Sequence, residues 1–504
     1  MLVLADTIEI ARPAEAVFAF VSHLENYPDW FPGVVQMRSA DDLPDGTIGK
    51  RYNEIAVVPP GREEAVSVEI AEFERGRRLV IHPDLAPVLP KFTYEVVERG
   101  AERTEFRWRC EARARGASVA LAFRLMRAVL RPRLRAGLGN LKRILEQSPE
   151  QKITAALQWR FGPPQEVLRV NDTRPRLPPG PGEVRVRILA ASLNHIDVMR
   201  MSGYGARLFR IRKAGGFPLT LGTDVCGVVE AVGSGVSGCS AGDMVFGAKP
   251  PSRDGTLASH VILAAEHVVA VPEGLSPESA AAMPYCFLTA WAGLVGQGPL
   301  SDDGAGDARV FVQGGAGGVG SMAVQIAKAL GAHVAASCRA HEVEAVQALG
   351  ADEVHPVGSS DYAASLRDYD IALCSADPSE FDRMLGILKK GGGVFATTIH
   401  PTLALVDKHG LLLGPIKAKR VLAEQRREAS KLGVGVQWVL FQPNRAALER
   451  LAGWAGQGRI RPILDRHYPL RDIAAAMIRL ASGEARGKVI IHPDTEQARL
   501  KEAR

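Results

Sequence analysis

The stretch Arg309-Val310-Phe311-Val312-Gln313-Gly314-Gly315-Ala316-Gly317-Gly318-Val319-Gly320 decides the fold of the larger part of this 504-residue chain. A short apolar strand runs into a glycine-rich turn, and Ser321 to Leu330 continues as a helix with Ala323, Ile326, Ala327 and Leu330 on one face. A pyrophosphate needs backbone N–H groups brought close at a helix N-terminus, and only residues without bulky side chains permit that approach. A second strand, His333-Val334-Ala335-Ala336-Ser337, follows at the interval a βαβ unit requires. Gly315, Ala316, Gly317, Gly318, Val319 and Gly320 are therefore the expected dinucleotide cradle.

The end of the second strand reports the cofactor. An NAD site places Asp or Glu there for the ribose 2′-hydroxyl, whereas a 2′-phosphate wants cations and hydroxyls. The chain reads Ser337-Cys338-Arg339-Ala340-His341, which favours NADPH with Ser337 and Arg339 as phosphate contacts. The strands Asp370–Cys374 and Val394–Thr398 continue the α/β rhythm. Ligands sit at the carboxyl ends of such strands, so Thr397 and Thr398 are expected at the nicotinamide end.

Ahead of this fold lie short strands and turns carrying Ala191-Ser192-Leu193-Asn194-His195-Ile196-Asp197, Ser202-Gly203-Tyr204-Gly205, Phe217 to Val229, Ala241 to Phe246 and Leu288-Thr289-Ala290-Trp291; Ala485-Arg486-Gly487-Lys488-Val489-Ile490-Ile491 closes the series. With the glycine turn, this ordered set resembles the medium-chain dehydrogenase/reductase superfamily from about Ile153 to His492, and within it the zinc-independent quinone oxidoreductases of the reticulon-4-interacting-protein branch. The resemblance implies a GroES-like domain (153–283 and 443–493), to which the C-terminal segment returns, and a Rossmann domain (284–442). It adds Thr289 and Lys488 to the cofactor contacts and places Asn194 near nicotinamide and acceptor. Tyr204 is the candidate hydrogen-bond donor or proton source, or else a loop residue over the cleft; His195 and Asp197 are supporting polar groups. Where relatives place a tyrosine on the 2′-phosphate, this chain reads Val354-His355.

No metal is expected. A catalytic zinc needs about three protein ligands. Zinc-dependent relatives carry Cys where this chain has Leu193-Asn194-His195, and Gly-His-Glu where it has Gly222-Thr223-Asp224.

Residues 1–148 read as a separate α+β unit. Ile8 and Ile10 mark a first strand, and Ala14, Val17, Phe18, Val21 and Leu24 recur at helical spacing until Tyr27-Pro28-Asp29-Trp30-Phe31-Pro32-Gly33 breaks the helix. Phe92, Tyr94 and Val96, then Phe106, Trp108 and Cys110 across the Arg99-Gly100 turn, put one aromatic face on a hairpin. A long helix, 117–147, closes the unit. A curved sheet gripping a helix can enclose an apolar ligand, though the same aromatics can equally fill a core. The order of elements resembles the START-like (SRPBCC) superfamily of polyketide cyclases and coenzyme-Q-binding proteins, which implies a lipid, polyketide or quinone pocket. The fold class expected is thus a START-like helix-grip domain fused to a GroES-like β domain and an α/β Rossmann domain.

Composition agrees. Hydrophobic residues are 46% and charged residues 23%, which excludes disorder and fibrous repeats, and the length suits about three domains. The net charge is +6, and the 117–147 helix carries an equal excess. Its arginines, including Arg124, Arg127 and Arg131, flank an apolar stripe interrupted by Pro132, which should kink or split the helix. Such a helix suits peripheral membrane contact, or a solvated face over a buried stripe. Ser148-Pro149-Glu150-Gln151 is the expected linker. Six scattered cysteines without a C-x-x-C pair, no signal-peptide pattern and no run of about 20 apolar residues lead to the expectation of a cytoplasmic protein with reduced thiols, at most peripheral to a membrane. No motif supports nucleic acid binding, and relatives imply a homodimer.

Without a metal to polarise an alcohol, the chemistry left is hydride donation to an electron-poor acceptor. The expected function is NADPH-dependent reduction of a quinone, with the N-terminal domain binding a hydrophobic ligand such as a prenylated quinone. Reduction of a conjugated carbonyl, as by an enone or enoyl reductase, and a non-catalytic NADPH-sensing lipid or quinone carrier are the alternatives.

Overall fold

The computed structural model describes residues 2–58, 62–86, 88–112, 117–146, 152–211, 217–252, 254–296, 300–358 and 361–493. The chain divides into two compact units, Met1–Ile153 with Asn171–Leu177, and Thr154–Val170 with Pro178–Arg504. The expected linker at 148–151 lies outside the described residues.

In the first unit, β1 (Leu2–Ile10) is followed by α1 (Ala14–Ser22) and α2 (Tyr27–Trp30), then β2 (Val34–Ser39), β3 (Arg51–Val58), β4 (Arg62–Glu74), β5 (Arg78–Pro83), β6 (Lys91–Gly100), β7 (Arg103–Ala112) and α3 (Ala117–Glu146). The strands form one antiparallel sheet in the order β1-β7-β6-β5-β4-β3-β2. The hairpin expected from alternation is present in register, with Phe92 opposite Cys110, Tyr94 opposite Trp108 and Val96 opposite Phe106. All six are buried.

The Tyr27–Trp30 segment does more than break the first helix. It is itself a helical turn, because Pro28 falls at a first-turn position where its missing N–H is no loss. The turn drives Tyr27 and Trp30 inward: Tyr27 packs on Phe31 at 5.0 Å, and Trp30 meets Phe106 edge-on at 6.0 Å. Pro132 neither ends nor splits α3, which runs unbroken through it. Beyond the proline, Leu134, Leu138, Leu141 and Ile144 are all buried against the sheet core, and this anchorage offsets the lost backbone hydrogen bond.

Two larger sheets build most of the second unit. One combines Glu183–Ser192, Asp224–Val232, Met244–Ala248, His260–Ala264 and Val268–Ala270 with the C-terminal strands Leu464–Pro469 and Lys488–His492, so the chain end does return to it. The other is six-stranded and parallel, in the order Glu353–Pro356, His333–Cys338, Arg309–Gln313, Ile371–Cys374, Val394–Thr397, Gly435–Trp438. This is the doubly wound order of a dinucleotide-binding fold, with its switch point beside the Arg309–Gln313 strand. That strand is buried from Val310 to Gln313, as a parallel strand covered on both faces must be.

Candidate functional site

The glycine turn is shaped for close approach. The helix begins at Gly318, earlier than expected, with Gly317 as its N-cap. A Cβ on Gly320 would stand 2.0 Å from the Gly314 carbonyl oxygen, so this helix can start here only with glycine. A Cβ on Gly318 would lie 2.8 Å from Cys286 Sγ and 3.8 Å from Lys488 Cδ. The first turn is thus kept bare on the side facing Cys286 and Lys488. Ala316 and Val319 are partly exposed beside it.

Lys488 opens the Lys488–His492 strand and is buried. Its Nζ donates to Asn194 Oδ1 at 2.6 Å and to Asp224 Oδ2 at 3.2 Å, and lies 3.7 Å from Cys286 Sγ. Burial opposes the charge, but Cys286 and Asp224 outweigh it and hold the lysine pKa above its ordinary value. Asp224 is completely enclosed. It also accepts from Ser192 Oγ at 2.8 Å and from the Tyr285 N–H at 2.7 Å, so both oxygens are engaged. Burial raises the Cys286 thiol despite the nearby ammonium, and the thiol donates to Asn194 Oδ1 at 3.4 Å.

Asn194 caps the helix His195–Met201. Its amide nitrogen donates to Thr223 Oγ1 at 2.9 Å and Asp224 Oδ2 at 2.8 Å, while its oxygen accepts from Lys488 and Cys286. Two donors and two acceptor sites are all an amide has, so Asn194 has no donor left for an acceptor molecule. Asp197 is wholly buried and accepts from the Asn194 N–H and the Gly222 N–H, each at 2.9 Å. Burial raises its pKa to about 6 against the pull of these two bonds. It ties two loops together and is enclosed. Burial of the His195 ring first, and the Lys488 ammonium second, lower its pKa.

Tyr204 is half-buried, and burial followed by the Asp407 charge raises its pKa, so the phenol stays a donor. Asp407, in the helix Thr402–Ser430, accepts from the Gly205 N–H at 2.5 Å and the Arg207 N–H at 3.2 Å. The Tyr204 loop is therefore clamped to the helix that follows Thr397 and Thr398.

Thr397 is buried and bonded to the Ile399 backbone through Oγ1; Thr398 is half-buried, with its N–H on the Cys374 carbonyl. Thr289 Oγ1 donates to the Tyr285 carbonyl at 2.7 Å. Ser337 is buried, and its carbonyl accepts from the Gly314 and Gly315 N–H groups, so it shapes the turn from inside. Arg339 is exposed, with one guanidinium nitrogen 3.1 Å from the Gly483 carbonyl.

Sequence reasoning missed Asp224, Cys286 and Asp407. Asp224 was in plain sight: a buried lysine needs a buried acid, and Asp224 lies in a quoted motif. Asp407 carried no such signal.

The turn suits a dinucleotide, because the helix opens on the exposed glycines Gly317 and Gly318, so no side chain of theirs covers its first N–H groups. No clear catalytic zinc site forms among the described residues. Their single cluster of metal-ligating side chains is Glu278, His467 and His492, while Asn194 and Asp224 are bonded to the Lys488 ammonium. All six cysteines are unpaired.

Residues 1–146 match the family described as polyketide cyclase/dehydrase and lipid transport, 180–273 the alcohol dehydrogenase GroES-like domain, and 349–491 the zinc-binding dehydrogenase family. The chain is 34% identical over 406 residues to the NAD(P)H oxidoreductase RTN4IP1, mitochondrial, of Homo sapiens, covering 77% of this chain and 99% of that one. Against the Mus musculus protein of the same name it is 35% identical over 324 residues, covering 62% and 82%. The quinone oxidoreductase of Coxiella burnetii superposes with a TM-score of 0.57 at 25% identity, covering 68% of this chain and 99% of that one. These relatives correct one expectation: the high-coverage matches are mitochondrial by name, so a cytoplasmic placement is not supported. Cysteine scatter and a missing signal-peptide pattern do not discriminate between two reducing compartments.

Proposed function

We propose, for a chain that belongs to the zinc-independent medium-chain dehydrogenase/reductase family alongside the RTN4IP1-like quinone oxidoreductases and carries an SRPBCC domain in front, that it reduces a quinone with NADPH. An oxidoreductase binding NAD(P)H is common to its relatives; quinone and NADPH are this reading's own steps. The observation that carries it is the Lys488–Asn194–Asp224 cluster beside the bare first turn of the Gly318–Ala329 helix, a cation set against a helix N-terminus where a dinucleotide anion would lie.

The first-turn N–H groups of Gly318, Val319 and Gly320 would hold the pyrophosphate, while the Gly315 and Gly317 N–H groups shape the turn on the Ser337 and Gly314 carbonyls and Lys488 lies paired with Asp224 beside it. Arg339 is the exposed cation for a 2′-phosphate. Bound NADPH supplies a hydride from its nicotinamide ring. Reduction places negative charge on the acceptor oxygen, which must meet a donor. Asn194 has spent both its N–H groups, so it is a positioning residue, and the Tyr204 phenol, kept neutral and held by the Asp407 clamp, is the donor. The N-terminal unit takes up a hydrophobic ligand, a prenylated quinone. Exposed Arg127, Arg131 and Arg135 line an open groove along α3 and supply a surface for anionic membrane, and a homodimer is the assembly we expect.

The test is NADPH oxidation by the full chain with short-chain quinones beside conjugated enones of similar size. This reading expects quinones to give the higher kcat/KM, and Tyr204→Phe to lower kcat by about tenfold or more. Faster enone turnover moves the assignment to C=C reduction; NADPH binding with no turnover of either class leaves a carrier.

A further inference from the structure

Away from the dinucleotide turn, three metal-ligating side chains from three elements of the second unit converge. They are Glu278 of the helix Pro277–Ala281, His467 of the strand Leu464–Pro469 and His492 at the end of the strand Lys488–His492. The two strands are parallel neighbours, with His467 opposite Ile490 and Pro469 opposite His492. His492 stands two residues beyond Ile490, so side-chain alternation puts both imidazoles on one face of the sheet. They stack with ring centroids 5.3 Å apart at 26°.

One ligand atom from each residue lies within 4.8 Å of the other two. His492 Nε2 is the hub, 3.2 Å from His467 Nδ1 and 3.9 Å from Glu278 Oε1. Glu278 and His492 are partly buried, and His467 is exposed. Protons do not satisfy this arrangement, because a ring nitrogen carries either one hydrogen or one lone pair. Bearing the hydrogen, His492 Nε2 can give it to His467 or to Glu278 but not to both. Bearing the lone pair, it can accept from His467 but then turns that lone pair towards the Glu278 carboxylate. A cation takes a lone pair from all three at once.

The donor set selects the cation. Two imidazoles with one carboxylate suit zinc and the late first-row metals, whereas magnesium and calcium favour oxygen shells. With zinc–ligand bonds of about 2.0–2.2 Å, tetrahedral ligand atoms stand about 3.3–3.6 Å apart. The two histidine nitrogens are already near that spacing, and the Glu278 carboxylate closes the set by turning its flexible side chain.

We propose that Glu278, His467 and His492 bind a zinc ion, with water in the fourth position. The site is a staple and not a reaction centre. Four residues of extended strand put His492 about 13 Å from Lys488, and the ion would tie the two C-terminal strands to the helix Pro277–Ala281, far earlier in the chain.

The experiment titrates Zn²⁺ against a chromophoric chelator into the full chain, free of any affinity tag and first stripped of metal. One tight site is expected, indifferent to excess Mg²⁺, with a melting temperature that rises as zinc is added. His467→Gln, His492→Gln and Glu278→Gln should each weaken zinc about 10–100-fold or more, since losing an outer partner of a ligand alone costs that much. The Cu²⁺-loaded wild type should show coupling to two imidazole nitrogens by electron paramagnetic resonance, and each histidine variant to one, a change that lowered stability would not produce. NADPH affinity of the three variants should match the wild type, which reports that they fold. Cys239→Ser, removing a partly exposed thiol, should leave zinc affinity unchanged. Zinc held equally well by His492→Gln, lost in Cys239→Ser, or displaced by Mg²⁺ overturns the proposal, as does a copper signal that both histidine variants leave unaltered.

Discussion

Lys488 Nζ sits 2.6 Å from Asn194 Oδ1, joining two residues 294 positions apart. With Asp224 and Cys286 they make a buried polar knot against the first turn of the dinucleotide helix. Every donor and acceptor in it is spoken for, so its value is rigidity, and each member is costly to remove alone.

Lys488→Met strips the cation from Asp224, which is 0% exposed at its side chain. Breaking one half of a buried pair costs about 3–5 kcal/mol. The double variant Lys488→Met with Asp224→Asn should recover part of this, and a urea double-mutant cycle will show a coupling of about 1 kcal/mol or more.

Gly320→Ala drives a methyl into the Gly314 carbonyl at 2.0 Å. The turn must open, so NADPH affinity should fall at least about tenfold, while the far-ultraviolet dichroism stays close to wild type. Gly318→Ala meets the more yielding Cys286 thiol and should cost less. Titration by nucleotide fluorescence separates the two.

Arg339→Gln removes an exposed cation from the end of the second strand. KM for NADPH should rise about tenfold and KM for NADH should move little, because only the former carries the 2′-phosphate. Ser337→Ala should disturb both equally, since its position is inside the glycine turn.

The Asp197 pKa, raised to about 6, gives a signed pH effect. Below about pH 4 the carboxyl is neutral folded or unfolded and contributes nothing to the pH dependence. As pH rises towards 6, the unfolded chain ionises it first, so this group's contribution to stability falls, by at most about 3 kcal/mol. Measured against Asp197→Asn, the wild type should lose relative stability from about pH 4 to about pH 6 and then level off.

What was legible in the sequence follows from periodicity and backbone demand. The Tyr94/Trp108 hairpin and the Arg309–Gly320 turn declare themselves through alternation and glycine, because those patterns are local. The roles of Asn194 and Ser337 were not legible: both are polar residues in expected places, yet one proves to be saturated by Lys488, Thr223 and Asp224, and the other turned into the glycine loop. Hydrogen-bond saturation depends on partners far away in the chain, and no spacing rule reports it. The same holds for Asp407, whose clamp on Gly205 closes only in three dimensions. Continuity of α3 through Pro132 was likewise set by burial of Leu134 and Leu138 rather than by the proline's own preference.

The most direct test of the account is single-turnover oxidation of NADPH by the full chain with a short-chain quinone, using cofactor deuterated at the transferred position. Quinone-dependent loss of nicotinamide absorbance should slow with deuterium in the wild type and be strongly reduced in Lys488→Met. Tight NADPH binding with no quinone-dependent oxidation, or oxidation equally fast in Lys488→Met, would contradict it.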